Sequence, residues 1–433
     1  MFGWLRTYLR GVSWPIIIAM AALMVISILA VRVAEDAAPS DPLLRGSTVR
    51  QMIYVLVGAL GFIIATIIPY QRIGQSVYLF FALNLVLLVL VLFLPANRNS
   101  HRWINLKFFM VQPSELAKLT YILALAWYLR YRDNYRRFFG LLVPFMLTII
   151  PAALILIEPD LGTTLLLFPA LFVMLFLAGA KLRHLLAIVV IAVVVIFFPV
   201  PRNVTGKSPS IVAERKVLAY WHGSIGGEEY VISAAPLAIM KHHQLSRIEG
   251  WLMQPDPLVE VSRQQGFQLH NSMIILGSGR MTGQDILDQK NLYFRMLPDD
   301  HTDFIYAVIG GEWGFMGCVG VLFIYLAIFF CGAEIAGTTD DPFGRLVVVG
   351  VLGLLLAQVL INVGMTMGLA PITGMTLPMV SYGGSSMLVN CVAMGLLINV
   401  AQRRPILLGP KPFEYGRKRL IEPASYGPLF ERE

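Results

Sequence analysis

The sequence predicts an all-α polytopic membrane protein: about ten transmembrane helices, with one long external loop between the seventh and the eighth. Three observations predict it. Of the 433 residues, 57% are hydrophobic and only 14% charged, against roughly 45–50% and about 25% in soluble domains. The apolar residues gather into ten runs, each near the roughly 20 residues that a hydrocarbon core about 30 Å thick demands. Lys and Arg fall between alternate runs, on one face of a ten-span arrangement.

The runs lie near 14–33, 49–69, 75–94, 114–129, 139–157, 161–179, 184–200, 304–331, 346–368 and 384–401. The first follows Trp4, Arg6 and Arg10 like a signal peptide. It has no small-residue cleavage site, however, and leads through 34–48 straight into another span, so it reads as an anchor. Arg6 and Arg10, Arg72, the Arg130/Arg132/Arg136/Arg137 cluster, Lys181 and Arg183, Arg345, and the tail Arg403, Arg404, Arg417, Lys418 and Arg419 share one side. Short basic loops stay in the cytoplasm, so both termini are expected there. The formal net charge of +8 flanks apolar runs rather than forming a stripe, which excludes nucleic acid as a partner.

The chain divides into helices one to seven (1–200), an external loop (201–303), helices eight to ten (304–402) and a cytoplasmic tail (403–433). The loop has no cysteine, because Cys318, Cys331 and Cys391 all lie in apolar runs. No disulfide framework holds it, so it is expected to fold against the membrane domain or a partner.

Ionisable groups inside or at the ends of spans are costly and mark functional sites by default. Four places carry them. Arg102-Trp103 precedes Gln112-Pro113-Ser114-Glu115-Leu116-Ala117-Lys118, where Pro113 suits a first helical turn and Glu115 shares a helical face with Lys118. This reads either as a capped helix start with a self-neutralising pair or as the wall of a substrate cavity. Glu158-Pro159-Asp160-Leu161-Gly162-Thr163-Thr164 is a tight external turn that a Pro-Asp cap explains, and its carboxylates face the same side as Glu115 and Lys118. His301-Thr302-Asp303-Phe304 stands where water meets lipid. There Thr302 and Asp303 are good helix caps, and Asp303 is equally a candidate carboxylate base with His301 beside it. Last come Pro371-Ile372-Thr373-Gly374-Met375-Thr376-Leu377-Pro378 and Ser381-Tyr382-Gly383-Gly384-Ser385-Ser386. Their glycines suit close packing, and Ser385 and Ser386 suit anion contact at a helix start. Asn362, inside the ninth span, reads as an interhelical hydrogen bond.

Taken together, RW…QPSELAK, EPDLGT, DP…GFQ, GSG, HTDFI and P.TG..LP..SYGGSS resemble, in content and order, the SEDS family (FtsW/RodA/SpoVE) over nearly the whole chain. Asp256-Pro257 before Gly266-Phe267-Gln268, with Asn362-Val363-Gly364-Met365, is more similar to its elongation branch. The sequence departs from the family pattern at Asn271-Ser272, at Arg280 after GSG, at Pro298-Asp299, and in about fifty residues (202–250) without a counterpart.

The resemblance implies a peptidoglycan glycosyltransferase of the bacterial cytoplasmic (inner) membrane that polymerises lipid II on the outer face, in elongation or division. The family's essential loop aspartate falls on Asp303. Its polar cavity residues fall on Glu115, Lys118 and Asp160, and its arginine near span four on Arg102. Gln268 of the GFQ motif, His301, Ser385 and Ser386 complete the expected substrate contacts. Implied partners are lipid II, the undecaprenyl-linked glycan strand, membrane lipids and a class B penicillin-binding protein as transpeptidase.

The chemistry fits these residue types independently. Joining two lipid-linked sugars needs a base for the acceptor hydroxyl and cations for the departing diphosphate. Asp303 is the best-placed base. Lys118, Arg102, His301 or a divalent cation (Mg or Mn) would offset the diphosphate. Direct displacement inverts the anomeric centre. A flippase, using Glu115 and Lys118 as a polar track, is the alternative, and a non-catalytic scaffold is a third reading. The external position of Asp303 favours chemistry.

Overall fold

The computed structural model describes residues 11–37, 44–94, 102–105, 110–203, 219–225, 228–234, 247–248, 251, 266–284 and 301–403. Arg6, Arg10, Asp256, Pro257, Pro298, Asp299, Asp300, Arg404, Arg417, Lys418 and Arg419 lie outside the described residues.

All ten apolar runs coincide with helices. These are α1 (Trp14–Ala37), α2 (Ser47–Ile67), α4 (Val77–Val91), α5 (Pro113–Leu129), α6 (Leu142–Ile157), α7 (Leu161–Ala178), α8 (Leu182–Ile196), α10 (Ile305–Thr338), α11 (Pro342–Thr366) and α12 (Gly384–Gln402). A short α3 (Tyr70–Gln75) turns the chain between α2 and α4, and α9 (Gly266–Ser278) belongs to the long loop. Among the described residues seven helices are long and apolar enough to cross a membrane, α6 with its preceding turn included. The others are α4 and α8, short and apolar, and α5, whose 17 residues carry Glu115 and Lys118. The protein is a multi-pass membrane protein.

Helix boundaries follow local chemistry. Pro113 and Pro342 occupy first-turn positions, where a missing N–H costs nothing. The Asp341 side chain accepts from Gly344 N at 2.8 Å, and α7 stops at Gly179 with φ 101°, a left-handed C-cap. Helices α11 and α12 are the most enclosed spans, and α5 is buried along most of its length. By contrast α2 and α8 expose rows of Val, Ile and Leu, as a lipid-facing surface would.

The two ends of the bundle differ. Helix α5 starts at Pro113 and ends beside Arg130, which lies 3.1 Å over the Trp127 ring. Helix α7 starts at Asp160 and ends before Lys181 and Arg183. Arg403, after α12, donates to Thr66 O (2.9 Å) and Ile67 O (2.8 Å) at the end of α2. Arg130, Lys181, Arg183 and Arg403 thus share one end, opposite the end that carries the Glu158–Asp160 turn.

Two features go beyond the sequence reading. The eighth span is longer than 304–331 and carries a kink at Gly314 (φ 64°). The loop segment 279–284 packs into that kink: Phe315 N donates to Arg280 O (2.8 Å), Met316 N to Met281 O (3.1 Å), and Gln284 N to Gly311 O (3.0 Å). Any Cβ on Gly279 would lie 1.8 Å from Gly310 O. Arg280 itself is held at φ 48°. The long loop also contains a three-stranded antiparallel sheet in the order β3-β5-β4, formed by β3 (Pro199–Asn203), β4 (Ala219–Ile225) and β5 (Glu228–Ala234). Its strands fall in a region for which the sequence offered no fold. A two-residue hairpin, β1 (Ile104–Asn105) with β2 (Met110–Val111), precedes α5.

Candidate functional site

Two polar groups stand at the Glu158–Asp160 end of the bundle, joined by the segment 371–378. The first is built on the starts of α5 and α7. Lys118 Nζ lies 2.8 Å from Glu115 Oε2, with side-chain exposures of 1% and 9%. One helical turn brings the two together, and burial without a partner would cost either one several kcal/mol. Asp160 caps α7 through Thr163 N (3.1 Å), and its Oδ2 also accepts from Thr163 Oγ1 (2.9 Å), Ser114 Oγ (2.9 Å) and Gln112 Nε2 (3.0 Å). The Pro-Asp cap expected from the sequence is therefore present. It also ties α5 to α7.

Arg102 is half-buried, with two of its guanidinium nitrogens engaged. Its Nε donates to Glu158 O at 2.8 Å, and Nη2 donates to Pro159 O, so it closes the turn that ends α6. The Glu158 side chain is fully buried. Among the described residues neither of its carboxyl oxygens has a hydrogen-bond partner. Burial pushes this carboxyl up to about 8; nearby Asp160 adds to the shift, and Arg102 opposes it.

The second group surrounds Asp303. The N-cap of α10 is Phe304, and Asp303 stands immediately before it. Asn362 Nδ2 instead holds the Asp303 backbone carbonyl (2.9 Å) together with Met375 O (2.6 Å). Asn362 therefore bonds two loop carbonyls rather than another helix, and pins the loop–helix junction to α11. Tyr382 N donates to His301 O (2.9 Å), and the His301 ring lies 5.2 Å from the Tyr382 ring, tilted by 55°. Asp303 and His301 are half-buried.

The connecting segment touches both groups. A Cβ on Gly162, in the Asp160 turn, would lie 2.5 Å from Met375 Cγ and 2.9 Å from Thr373 O. On the other flank a Cβ on Gly374 (φ 72°) would lie 3.3 Å from Arg247 Nη1 and 3.5 Å from Asp303 Oδ2. Ser386 Oγ bonds Thr376 Oγ1 (2.8 Å). Ser385 Oγ donates to Met110 O (2.7 Å) and accepts from Gln112 N (3.1 Å). Both serine hydroxyls thus fasten α12 to the segment and to β2. Gln268 lies half-buried on α9, which is anchored to the end of α11 by Ser272 Oγ donating to Thr366 O at 3.0 Å.

Sequence reasoning passed over Gln112 and Ser114 as Asp160 donors, and over Arg247 altogether. Trp251 Nε1, donating to Gly368 O at 2.9 Å, pins that part of the loop beside Asp303. The only sequence signal was an isolated Arg and Trp in a polar loop. Among the described residues no three His, Cys, Asp or Glu side chains converge as a metal ion would require.

An apolar groove of about 520 Å³ opens between α2, α4, α5 and α12, lined among others by Leu83, Leu116, Leu119 and Leu396, with Asn84 and Thr120 as its polar members. Asn84 Nδ2 donates to Pro113 O at 3.2 Å, so the groove reaches the α5 start.

The chain matches the family described as Cell cycle protein (FtsW/RodA/SpoVE) over residues 9–206 and 211–405. It is 30% identical over 436 residues to the peptidoglycan glycosyltransferase RodA of Treponema pallidum (strain Nichols), covering 92% of this chain and 99% of that one. Identity to the probable peptidoglycan glycosyltransferase FtsW of Geobacter metallireducens (strain ATCC 53774 / DSM 7210 / GS-15) is 32% over 360 residues, covering 82% and 84%. A solved chain, described under the structural coordination of polymerization and crosslinking by a peptidoglycan synthase complex, superposes with a TM-score of 0.68. It is 27% identical and the match covers 92% of this chain and 99% of that chain.

Proposed function

The chain belongs to the FtsW/RodA/SpoVE (SEDS) family, and from that premise we propose that it is a peptidoglycan glycosyltransferase polymerising lipid II at the outer face of the cytoplasmic membrane. The observation that carries the reading is the Asp303 corner: a half-buried carboxylate at a span's entrance, its backbone carbonyl held by Asn362 and its Oδ2 bordering the space at Gly374. Asp303 takes the proton from the acceptor sugar hydroxyl. The hydroxyl oxygen bonds to the donor's anomeric carbon while the bond from that carbon to the diphosphate oxygen breaks. The lipid diphosphate leaves, and the anomeric configuration inverts without a covalent sugar–enzyme intermediate.

General-base chemistry contributes about 10²–10⁴-fold, so positioning must supply much of the rest. The apolar groove beside α5 has the lining to hold an isoprenoid chain while the sugar stays at the membrane surface. Asp160, Glu115 and Lys118 support the floor of the site. Because Lys118 is matched by Glu115 and Arg102 is engaged with two carbonyls, neither is an uncommitted cation for the diphosphate.

The orientation belongs to the same proposal. Basic residues at the ends of α5, α7 and α12 support a cytoplasmic face opposite Asp303, with both termini cytoplasmic. A class B penicillin-binding protein as cross-linking partner fits the family's place in synthase complexes. Elongation is the favoured setting, because the match to a RodA spans 92% of the chain and the match to an FtsW 82%. Purified full-length protein given lipid II should make glycan strands, and D303N should make none. Absence of product from the wild type, with lipid II moving across liposome bilayers instead, would return the flippase reading.

A further inference from the structure

Arg247 lies far from Asp303 in the sequence, yet its Nη1 and the Asp303 Oδ2 border the same methyl-sized space at Gly374, at 3.3 Å and 3.5 Å from where a Cβ would stand. Three features hold this arrangement. Gly374 adopts φ 72°, a conformation that suits glycine, and lacks the side chain that would fill the space. Trp251, four residues on from Arg247, is hydrogen-bonded to Gly368 O at 2.9 Å, which ties the loop to the end of α11. Asn362 fixes the Asp303 carbonyl to the same segment through Met375 O. Loop, junction and segment thus bring a guanidinium and a carboxylate together at the entrance of α10.

We infer that Arg247 is a positioning residue for Asp303: its guanidinium orients the carboxylate toward the acceptor hydroxyl. The inference rests on the proposed base role of Asp303. A planar fork of donors suits this task, because it fixes a carboxylate in angle as well as in distance. It also gives the long loop a function in chemistry. By docking through Trp251, the loop delivers the cation that the helices themselves do not offer, since Lys118 is matched by Glu115 and Arg102 is bonded to the carbonyls of Glu158 and Pro159.

The test uses full-length protein in liposomes with lipid II, comparing wild type, R247Q, R247K and D303N, with thermal unfolding of R247Q, D303N and the double variant as a second readout. R247Q should lose about 10- to 100-fold in kcat, the scale expected when a reacting group is misplaced by about 1 Å, while KM stays within about threefold. R247K should fall between R247Q and wild type. In unfolding, the double variant should be less destabilised than the two single losses added together, as contacting charges require. Wild-type kcat in R247Q, or additive unfolding losses, would overturn the inference. If R247Q fails to fold, R247K decides alone: reduced kcat at unchanged KM supports the inference, and unchanged kcat overturns it. A wild type that makes no glycan defeats the base role instead, while the unfolding comparison still judges the Arg247–Asp303 pairing.

Discussion

Asp160 and Asp303 each precede a membrane-spanning helix at the same end of the molecule, and the fold treats them differently. Asp160 is buried, and its carboxylate receives four hydrogen bonds from Gln112, Ser114 and Thr163. Asp303 is half-buried and is fixed by its backbone carbonyl, with Arg247 across the gap at Gly374. A carboxylate whose lone pairs are filled by fixed donors is a poor base and a good brace. Asp303 is the more accessible of the two, clamped through its backbone where a substrate hydroxyl can reach it. The same contrast separates Lys118, matched inside its own helix by Glu115, from Arg247, delivered by the loop.

The largest expected effect tests the braced half. K118M leaves Glu115 buried without its cation and should destabilise the protein by about 3–5 kcal/mol, while E115Q/K118M recovers much of the loss. Thermal unfolding of the single and double variants measures this. Additive losses would mean that the pair is not a unit, and the braced half would then need another explanation.

Next in size is Glu158, the buried carboxyl beside Asp160. Its value in the fold, about 8, lies above the ordinary carboxylate range, so the folded protein holds a proton that the unfolded chain releases. Wild-type stability should therefore fall as pH rises from about 4.5 toward about 8, the interval between the ordinary and the raised value. E158Q removes that titration, so its thermal midpoint should exceed the wild type's by more at pH 8 than at pH 5. A pH-independent difference would show that Glu158 is ionised or solvated.

The smallest effect is at Arg280, held at φ 48° where the loop enters the α10 kink. R280G should stabilise by about 1 kcal/mol at most, since glycine adopts this conformation without strain but loses more entropy on folding. A clear loss of stability would mean that the Arg280 side chain makes contacts that outweigh its backbone.

The orientation of the whole comparison can be checked separately. The native cysteines lie in helices, two of them buried, so a cysteine-light background is feasible. In intact spheroplasts an impermeant maleimide should label a cysteine at Ser208 but reach one at Ser425 only after lysis. The opposite pattern would put Asp303 on the cytoplasmic side.

Much of the braced half was legible in the sequence. Apolar runs mark the spans because lipid allows few alternatives to a helix. Glu115 and Lys118 declare their pairing through their spacing, and Asp160 declares its cap by following a proline. The partners of Arg102 were not legible, because a sequence does not show which carbonyls a guanidinium will find. The Asp303 half was legible only as a position. Its neighbours Arg247, Gly374 and Asn362 come from three separate stretches of chain, and no periodicity links them. The sheet of β3, β4 and β5 was equally hidden, because its strands carry no strong alternation and the loop offers no cysteine framework to constrain it.

The contrast between the two aspartates is tested most directly by measuring lipid II turnover and thermal midpoint side by side for D303N and D160N in the full-length protein. D303N should abolish turnover while changing stability by no more than about 1 kcal/mol, because asparagine keeps the backbone clamp. D160N should lower the midpoint, because one of the three donors at Oδ2 would face an amide that cannot accept. Active D303N, or D160N that is fully stable yet inactive, would reverse the assignment and make Asp160 the chemical carboxylate.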